Sequence, residues 1–195
     1  GGFAHSSGLE AAWQHGEVRT AAELEVFLES SLHQAGHGSI PFVSAAHRAP
    51  EKLRELDQLC DAFTSTHVAN RASRLQGRAF LIAAERIFAV TALRPAIGHY
   101  AVVFGAVTRV LELRHRAAME LFFFAHLRNL TASAVRLGIV GPMEAQGLQF
   151  RLAPQDRAVL ARWEAFGVDD IAQTAPLLEL WQGAQDRLYS RLFQS

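Results

Sequence analysis

His33 and His37 stand four residues apart, the spacing that puts two imidazoles on one helical face, and they are the first place to look for metal chemistry among the nine histidines of this chain. A zinc protease of the His-Glu-x-x-His type is not supported. Gln34 stands where the glutamate belongs, and Gly36 is expected to break the helix, so the pair reads as two partly exposed polar side chains at a helix end. Glu112 and His115 form one Glu-x-x-His unit. A di-iron bundle needs a second copy, but no other glutamate has a histidine three residues on, and the pair reads as a surface salt bridge. Cys60 is the only cysteine, which excludes an internal disulfide and a multi-cysteine zinc or iron–sulfur site.

Nucleotide and acyl chemistry lack their sequence grounds as well. The only lysine, Lys52, lies between Glu51 and Leu53, so there is no Gly-Lys-Ser/Thr phosphate loop. Neither a Gly-x-Ser-x-Gly elbow nor a Gly-x-Gly-x-x-Gly fingerprint occurs. Arg71, Arg74 and Arg78 recur at spacings of three and four and line one face of the helix expected after Thr66. They are either a solvated basic face or a docking stripe for an acidic protein partner, since arginine suits bidentate carboxylate pairing. The sequon at Asn129 to Thr131 falls in a helical run and reads as coincidence.

The elements that must position these residues are helices. Alanine (33) and leucine (24) far outnumber valine (13) and isoleucine (6) among the 195 residues, a balance that favours helix because unbranched side chains lose little rotamer freedom there. Thr20 with Glu23 forms a capping box, followed by an apolar face of Leu24, Phe27, Leu28 and Leu32 that Gly36 and Gly38 are expected to end. Pro50, Pro142, Pro154 and Pro176 each head a helix-like run. Leu177, Trp181, Ala184, Leu188 and Leu192 make a ladder that predicts one helix running almost to the last residue. Tyr100 to Val107 is strand-like in composition but finds no partner strand, and it is assigned to helix. The stretch from Val68 to about Leu137 is the most apolar part, where helices buried on more than one face are expected. The expected fold is all-α, a single domain over residues 1–195 built as a bundle of roughly eight to ten helices.

Nineteen basic residues balance nineteen acidic ones, which argues against a general nucleic-acid binder. Half of the residues are hydrophobic and only 19% are charged, below the usual quarter. Some of that apolar excess is expected to be covered by another protein. No run reaches the roughly 18 apolar residues of a membrane span. Without a basic segment leading into a cleavable apolar one, a soluble intracellular protein is the reading. The chain starts at Gly1 and not at Met, so preceding sequence is expected to have been removed.

Five blocks, in order along the chain, resemble the UreF family of urease accessory proteins. They are GGFAHSSGLEAA (Gly1 to Ala12), ASRLQGRAF (Ala72 to Phe80), GHYAVVFGAV (Gly98 to Val107), SAVRLGIVGPMEAQ (Ser133 to Gln146) and LYSRLFQS (Leu188 to Ser195). The resemblance spans the chain and is most specific at its two ends. It departs in one respect, because family members usually carry a short Leu-Pro-containing lead before the Gly-Gly. The resemblance implies a non-catalytic helical assembly factor in the cytoplasm. It pairs as a homodimer, binds UreD (UreH in some organisms), recruits the GTPase UreG and serves nickel delivery to apo-urease. No cofactor and no tight nickel site of its own are implied.

Phe3, His5, Ser6, Gly8 and Glu10 match the partner-facing opening signature, with Ser6 or Ser7 alternatively a helix cap. Gln76, Gly77 and Arg78 match the central block, where a glycine inside a helix calls for a close approach or a dimer contact. Tyr189, Arg191 and Phe193 match the terminal block, which is expected to bind a partner, with core burial the alternative for Phe193. The rival functions are a helical metal-dependent enzyme using the histidines and a direct regulator of a GTPase acting through an arginine.

Overall fold

The computed structural model describes residues 4–91, 93, 98–153 and 157–194, with the backbone alone for 157–160. It is all-α. Helices α1 (Leu9–Gln14), α2 (Ala21–Gly38), α3 (Ile40–Arg48), α4 (Leu53–Phe63) and α5 (His67–Phe88) form the first half. Helices α6 (Tyr100–Val110), α7 (His115–Arg136), α8 (Pro142–Leu152), α9 (Arg157–Glu164) and α10 (Pro176–Ala184) form the second, with short 3-10 turns at Pro50–Lys52, Val168–Asp170 and Gln185–Arg187.

The centre of the bundle is the crossing of α3 and α6, the most extensive helix pair in the fold. Every residue of α6 from Ala101 to Thr108 is buried, as are seven of the nine residues of α3. Tyr100 to Val107 is thus helical as expected, its β-branched residues tolerated because packing overrides propensity. In the apolar stretch around α6, helices α5 and α7 each bury one face only, α5 through Val68, Ala72, Gly77, Leu81 and Ala84. Two glycines permit the close approaches. A Cβ on Gly105 would collide with the Val43 carbonyl of α3, and one on Gly77 would collide with the Gly98 carbonyl just before α6. The glycine of the central block is therefore explained by a contact within the chain. Around α6, Phe80, Tyr100, Phe104 and Phe122 join α5, α6 and α7 through rings 5.3 to 5.7 Å apart.

The capping box at Thr20 is formed on both sides. Three expectations are corrected. Helix α2 does not end at Gly36. It runs to Gly38 because the Trp163 indole occupies the space a side chain at Gly36 would need, 2.5 Å from an ideal Cβ, so glycine here is a packing residue. The chain then turns at Ser39, and Pro41, lacking an N–H, sits in the first turn of α3.

Glu112 and His115 do not share a helix. Glu112 lies between α6 and α7 with φ +58°, and His115 instead meets Glu164, its Nδ1 3.3 Å from Oε1. Finally, α10 stops at Ala184, so the ladder from Leu177 to Leu192 is not one helix, and Leu177 and Leu192 are exposed. Pro154 lies outside the described residues.

Replacing Gly105 with alanine is expected to destabilise the protein by about 1–3 kcal/mol, because the overpacking against Val43 exceeds the helix-propensity gain. At Gly147 in α8 an added Cβ meets only Arg151 at 3.6 Å, so Gly147→Ala should stabilise by about 0.5–1 kcal/mol. Urea unfolding of the two variants should move in opposite directions.

Candidate partner-docking surface

The two ends of the chain fold against each other through one carboxylate. Glu10, in the first turn of α1, is completely buried. It accepts hydrogen bonds from Gln185 Nε2 at 2.6 Å, from the Leu192 backbone N–H at 2.6 Å and from the Phe193 N–H at 3.1 Å. Gly8 makes the approach possible: it caps α1 at φ +88°, and a Cβ there would lie 3.0 Å from the Gln182 nitrogen of α10. The Ser6 hydroxyl accepts from the Glu10 N–H at 3.4 Å, but the N-cap of α1 is Gly8 and neither serine.

Two further bonds fasten the tail. Gln194 N–H donates to the Ala4 carbonyl at 2.7 Å, and the Gln14 amide donates to the Ser190 carbonyl at 2.8 Å. Asn129 of α7 holds the other side, donating to the His5 carbonyl at 3.1 Å, which gives the sequon asparagine a structural duty. Phe193 is 4% exposed with the Arg136 guanidinium 4.2 Å above its ring. It is core, the alternative open for this residue, while Tyr189 and Leu192 stand exposed. His5 is buried, and burial first of all lowers its pKa.

The arginine stripe is on one helix, α5, as expected, but two of its three members are engaged within the chain. Arg71 pairs with both oxygens of Asp186 at 2.9 and 3.0 Å, and Arg191 reaches the same carboxylate at 2.9 Å, with His67 at 3.2 Å. The Arg71 bond foremost holds Asp186 below its ordinary value. Arg74 donates to Asp61 at 2.7 Å and to Asp57 at 3.4 Å. Asp57 caps α6 by accepting from the His99 N–H at 2.7 Å. The fully buried His99 ring lies between Ser73 at 3.1 Å and Asp61 at 3.2 Å. Hydrogen bonds from Asn70, then Arg74 and His99, hold Asp61 well below its ordinary 3.8. Arg78, exposed like Arg71, is the member of the stripe with no ion pair among the described residues.

Residues from three distant blocks thereby meet on one face. His5, Arg71, Arg191 and Phe193 line a shallow concavity of about 430 Å³ with Leu75 and Leu192 at its border. It continues along α5 past Arg74 to Arg78. Gln76 faces elsewhere, into a groove of about 620 Å³ between α5 and α7 floored by Tyr100 and Ala101. Phe3 lies outside the described residues. Sequence reasoning missed Asp57, Asp61, His99, Gln185 and Asp186. A signal for the first two was present, since carboxylates four apart share one face of α4 just before the arginine-bearing helix, although only Arg74 meets them.

One arrangement looks catalytic. Ser44 Oγ is 3.0 Å from His115 Nε2, whose Nδ1 is 3.3 Å from Glu164, the order of nucleophile, base and orienting acid. Ser44, however, is 1% exposed in the middle of α3, where no substrate carbonyl can reach it and helical N–H groups are already bonded. The relay is a strut joining α3, α7 and α9. Among the described residues no group of three or more His, Cys, Asp or Glu could hold a metal ion, and no described helix is long and apolar enough to cross a membrane.

Comparison with known proteins decides the family: the model described as UreF matches residues 18–153. The chain belongs to the UreF family. It is similar to Urease accessory protein F of Arabidopsis thaliana, 36% identical over 208 residues that cover all of this chain and 87% of the relative. Similarity to Urease accessory protein F of Oryza sativa subsp. indica is 34% over 206 residues, 99% of this chain and 79% of that one. The bacterial Urease accessory protein UreF of Roseobacter denitrificans is 29% identical over 199 residues, 100% of this chain and 87% of its own length. The matched region of the family model begins after the clasp residue Glu10 and ends before the tail, whereas the pairwise similarities to relatives run across nearly the whole chain.

Glu10→Ala removes the acceptor shared by three donors and is expected to lower stability by about 2–4 kcal/mol and to free the tail, read as loss of hydrogen-exchange protection at the Leu192 and Phe193 amides. Asp61 has a depressed folded pKa, so its stabilisation is present above pH 3.8 and lost as the pH falls toward the folded value. Asp61→Asn should therefore lower stability at neutral pH and flatten its fall below pH 4, measured by chemical unfolding at a series of pH values.

Proposed function

We propose that this UreF family member is a non-catalytic scaffold of urease maturation in the cytoplasm. It engages UreD/UreH and the GTPase UreG in a complex that delivers nickel to apo-urease, and it pairs with a second copy of itself. The observation that carries the reading is the convergence of the opening signature, the α5 stripe and the terminal block on one face. There the tail presents Tyr189 and Leu192 outward while Glu10 fixes its backbone. An exposed aromatic and an exposed leucine on a pinned backbone suit an interface anchor, since little ordering remains to be done on binding. His5, Ser6, Gly8, Glu10 and Phe193 then act from behind the surface as its support, and Arg71 and Arg191 contribute from its rim.

Pairing is supported by the apolar side chains left open on the long helices. Ile82, Ile87 and Phe88 on α5 and Leu121 and Phe124 on α7 are all more than a third exposed. Gln76 belongs to this side of α5. Regulation of a partner GTPase through an arginine would fall on Arg78, because Arg71 and Arg74 are committed to Asp186 and to Asp57 and Asp61.

Tyr189→Ala combined with Leu192→Ala changes only exposed side chains and is expected to leave the unfolding midpoint in place. The same double variant should weaken capture of UreD by about tenfold or more and reduce urease activation in step. Undiminished UreD capture by the folded double variant would overturn the assignment of this face.

A further inference from the structure

The histidine pair that opened the sequence reading is set up in a way the sequence could not show. Because α2 continues through Gly36 to Gly38, His33 and His37 share one helical face, with ring centroids 4.4 Å apart. Each ring has its Nδ1 committed to a hydrogen bond. His37 Nδ1–H donates to the His33 carbonyl at 3.0 Å, and a carbonyl can only accept, so this ring carries its proton on Nδ1. His33 Nδ1 lies 3.2 Å from the Thr174 hydroxyl, which spends its own proton on Gln34 Oε1 at 3.1 Å. The hydroxyl therefore accepts from His33 Nδ1–H.

The Gln34 amide is fixed in turn. Its oxygen accepts from the Thr174 and Ala175 N–H groups, and its nitrogen donates to the Ala172 carbonyl and to Gln173. Both imidazoles are thus held in the tautomer that leaves an Nε2 lone pair, and neither Nε2 has a partner among the described residues. This is the support that metal-ligating histidines characteristically have, the second ring nitrogen donating to a carbonyl or hydroxyl that sets tautomer and orientation. An ion held about 2.0–2.1 Å from each nitrogen accepts nitrogens up to about 4 Å apart, a separation that rings this close can adopt.

We infer that His33 and His37 form a two-imidazole binding site for one divalent ion of borderline softness, of the zinc and nickel class, at the C-terminal end of α2. Imidazole pairs suit these ions and not magnesium or calcium, which seek oxygen. Two protein ligands leave the remaining positions to water, so the site is one of exchange and not of permanent residence. The Arg162 guanidinium lies near enough to act on His33. The same Arg162 charge opposes a cation and holds the affinity below that of a three- or four-ligand site. The inference does not rest on the maturation reading, since it uses only these residues.

The test is calorimetric titration of the full chain with Zn²⁺ alone and with Ni²⁺ alone. One ion per chain is expected, with His33→Ala and His37→Ala each weakening binding by about tenfold or more and His15→Ala leaving it unchanged. His33→Asn retains an N–H to meet Thr174 while removing Nε2. It should lose binding as His33→Ala does, with circular dichroism unchanged, which separates ligand loss from unfolding. Thr174→Val keeps both imidazoles but releases the His33 tautomer, and a weakening of up to about tenfold is expected. Binding that survives His33→Asn or His37→Ala, or no binding by the unaltered chain at millimolar ion, would overturn the site. Undiminished binding by Thr174→Val would overturn the role given to the tautomer.

Discussion

A carboxylate with no exposure to water has to find donors inside the protein or remain unionised, and Glu10 finds three. Much of the surface described above depends on that requirement. The side-chain amide of Gln185 and two tail amides converge on it. The chain between them is thereby bent out of helix, and the stretch from Leu188 to Gln194 lies across α1 instead of extending α10. The arrangement also sets the identity of its neighbours. Gly8 must lack a side chain where α10 passes, and Ser6 must offer a small acceptor within the loop. One strand of tension remains in the geometry: Gln185 gives its nitrogen to Glu10 and keeps a buried Oε1 without a partner.

The crossing of α3 and α6 is the second constraint, and it is apolar where the first is ionic. Backbone meets backbone at Gly105 and Val43, so the two helices act as a single block on which α5 and α7 lean. The ion pairs of α5 lock the block from outside. Asp57 caps α6, Arg74 ties Asp57 and Asp61 to α5, and Ser73 of α5 bonds His99 and Tyr100, so the helix that carries the arginine stripe cannot slide relative to the core without breaking these contacts. Precise placement of surface groups follows from contacts well beneath them.

Much of the fold was legible because its signals are local. The Thr20 and Glu23 box, the prolines at helix starts and the alanine and leucine balance each act within a turn or two of helix. The misreadings share a cause: a contact from far along the chain overrode a local rule. Gly36 stays helical because Trp163 fills the space beside it. The Leu188 and Leu192 rungs of the last ladder are lost because the Leu192 amide bonds Glu10, 182 residues away, in place of a helical carbonyl. His115 meets Glu164, 49 residues on, and not Glu112. At the candidate surface, the blocks that resemble the family located its ends and its arginines. Asp186, which gathers His67, Arg71 and Arg191, carries no mark in its own neighbourhood and becomes visible only once the chain is folded.

The clasp also has a consequence in time. Glu10 leaves the ribosome well before the amides that meet it, which lie 175 to 183 residues later. At about 5–20 residues per second, that interval is on the order of ten to forty seconds. During it α1 cannot close over its own carboxylate, and the helices between must organise around an amino-terminal end still open to water. The donors are synthesised long after the carboxylate they serve, so this part of the native surface closes only once translation has passed Phe193.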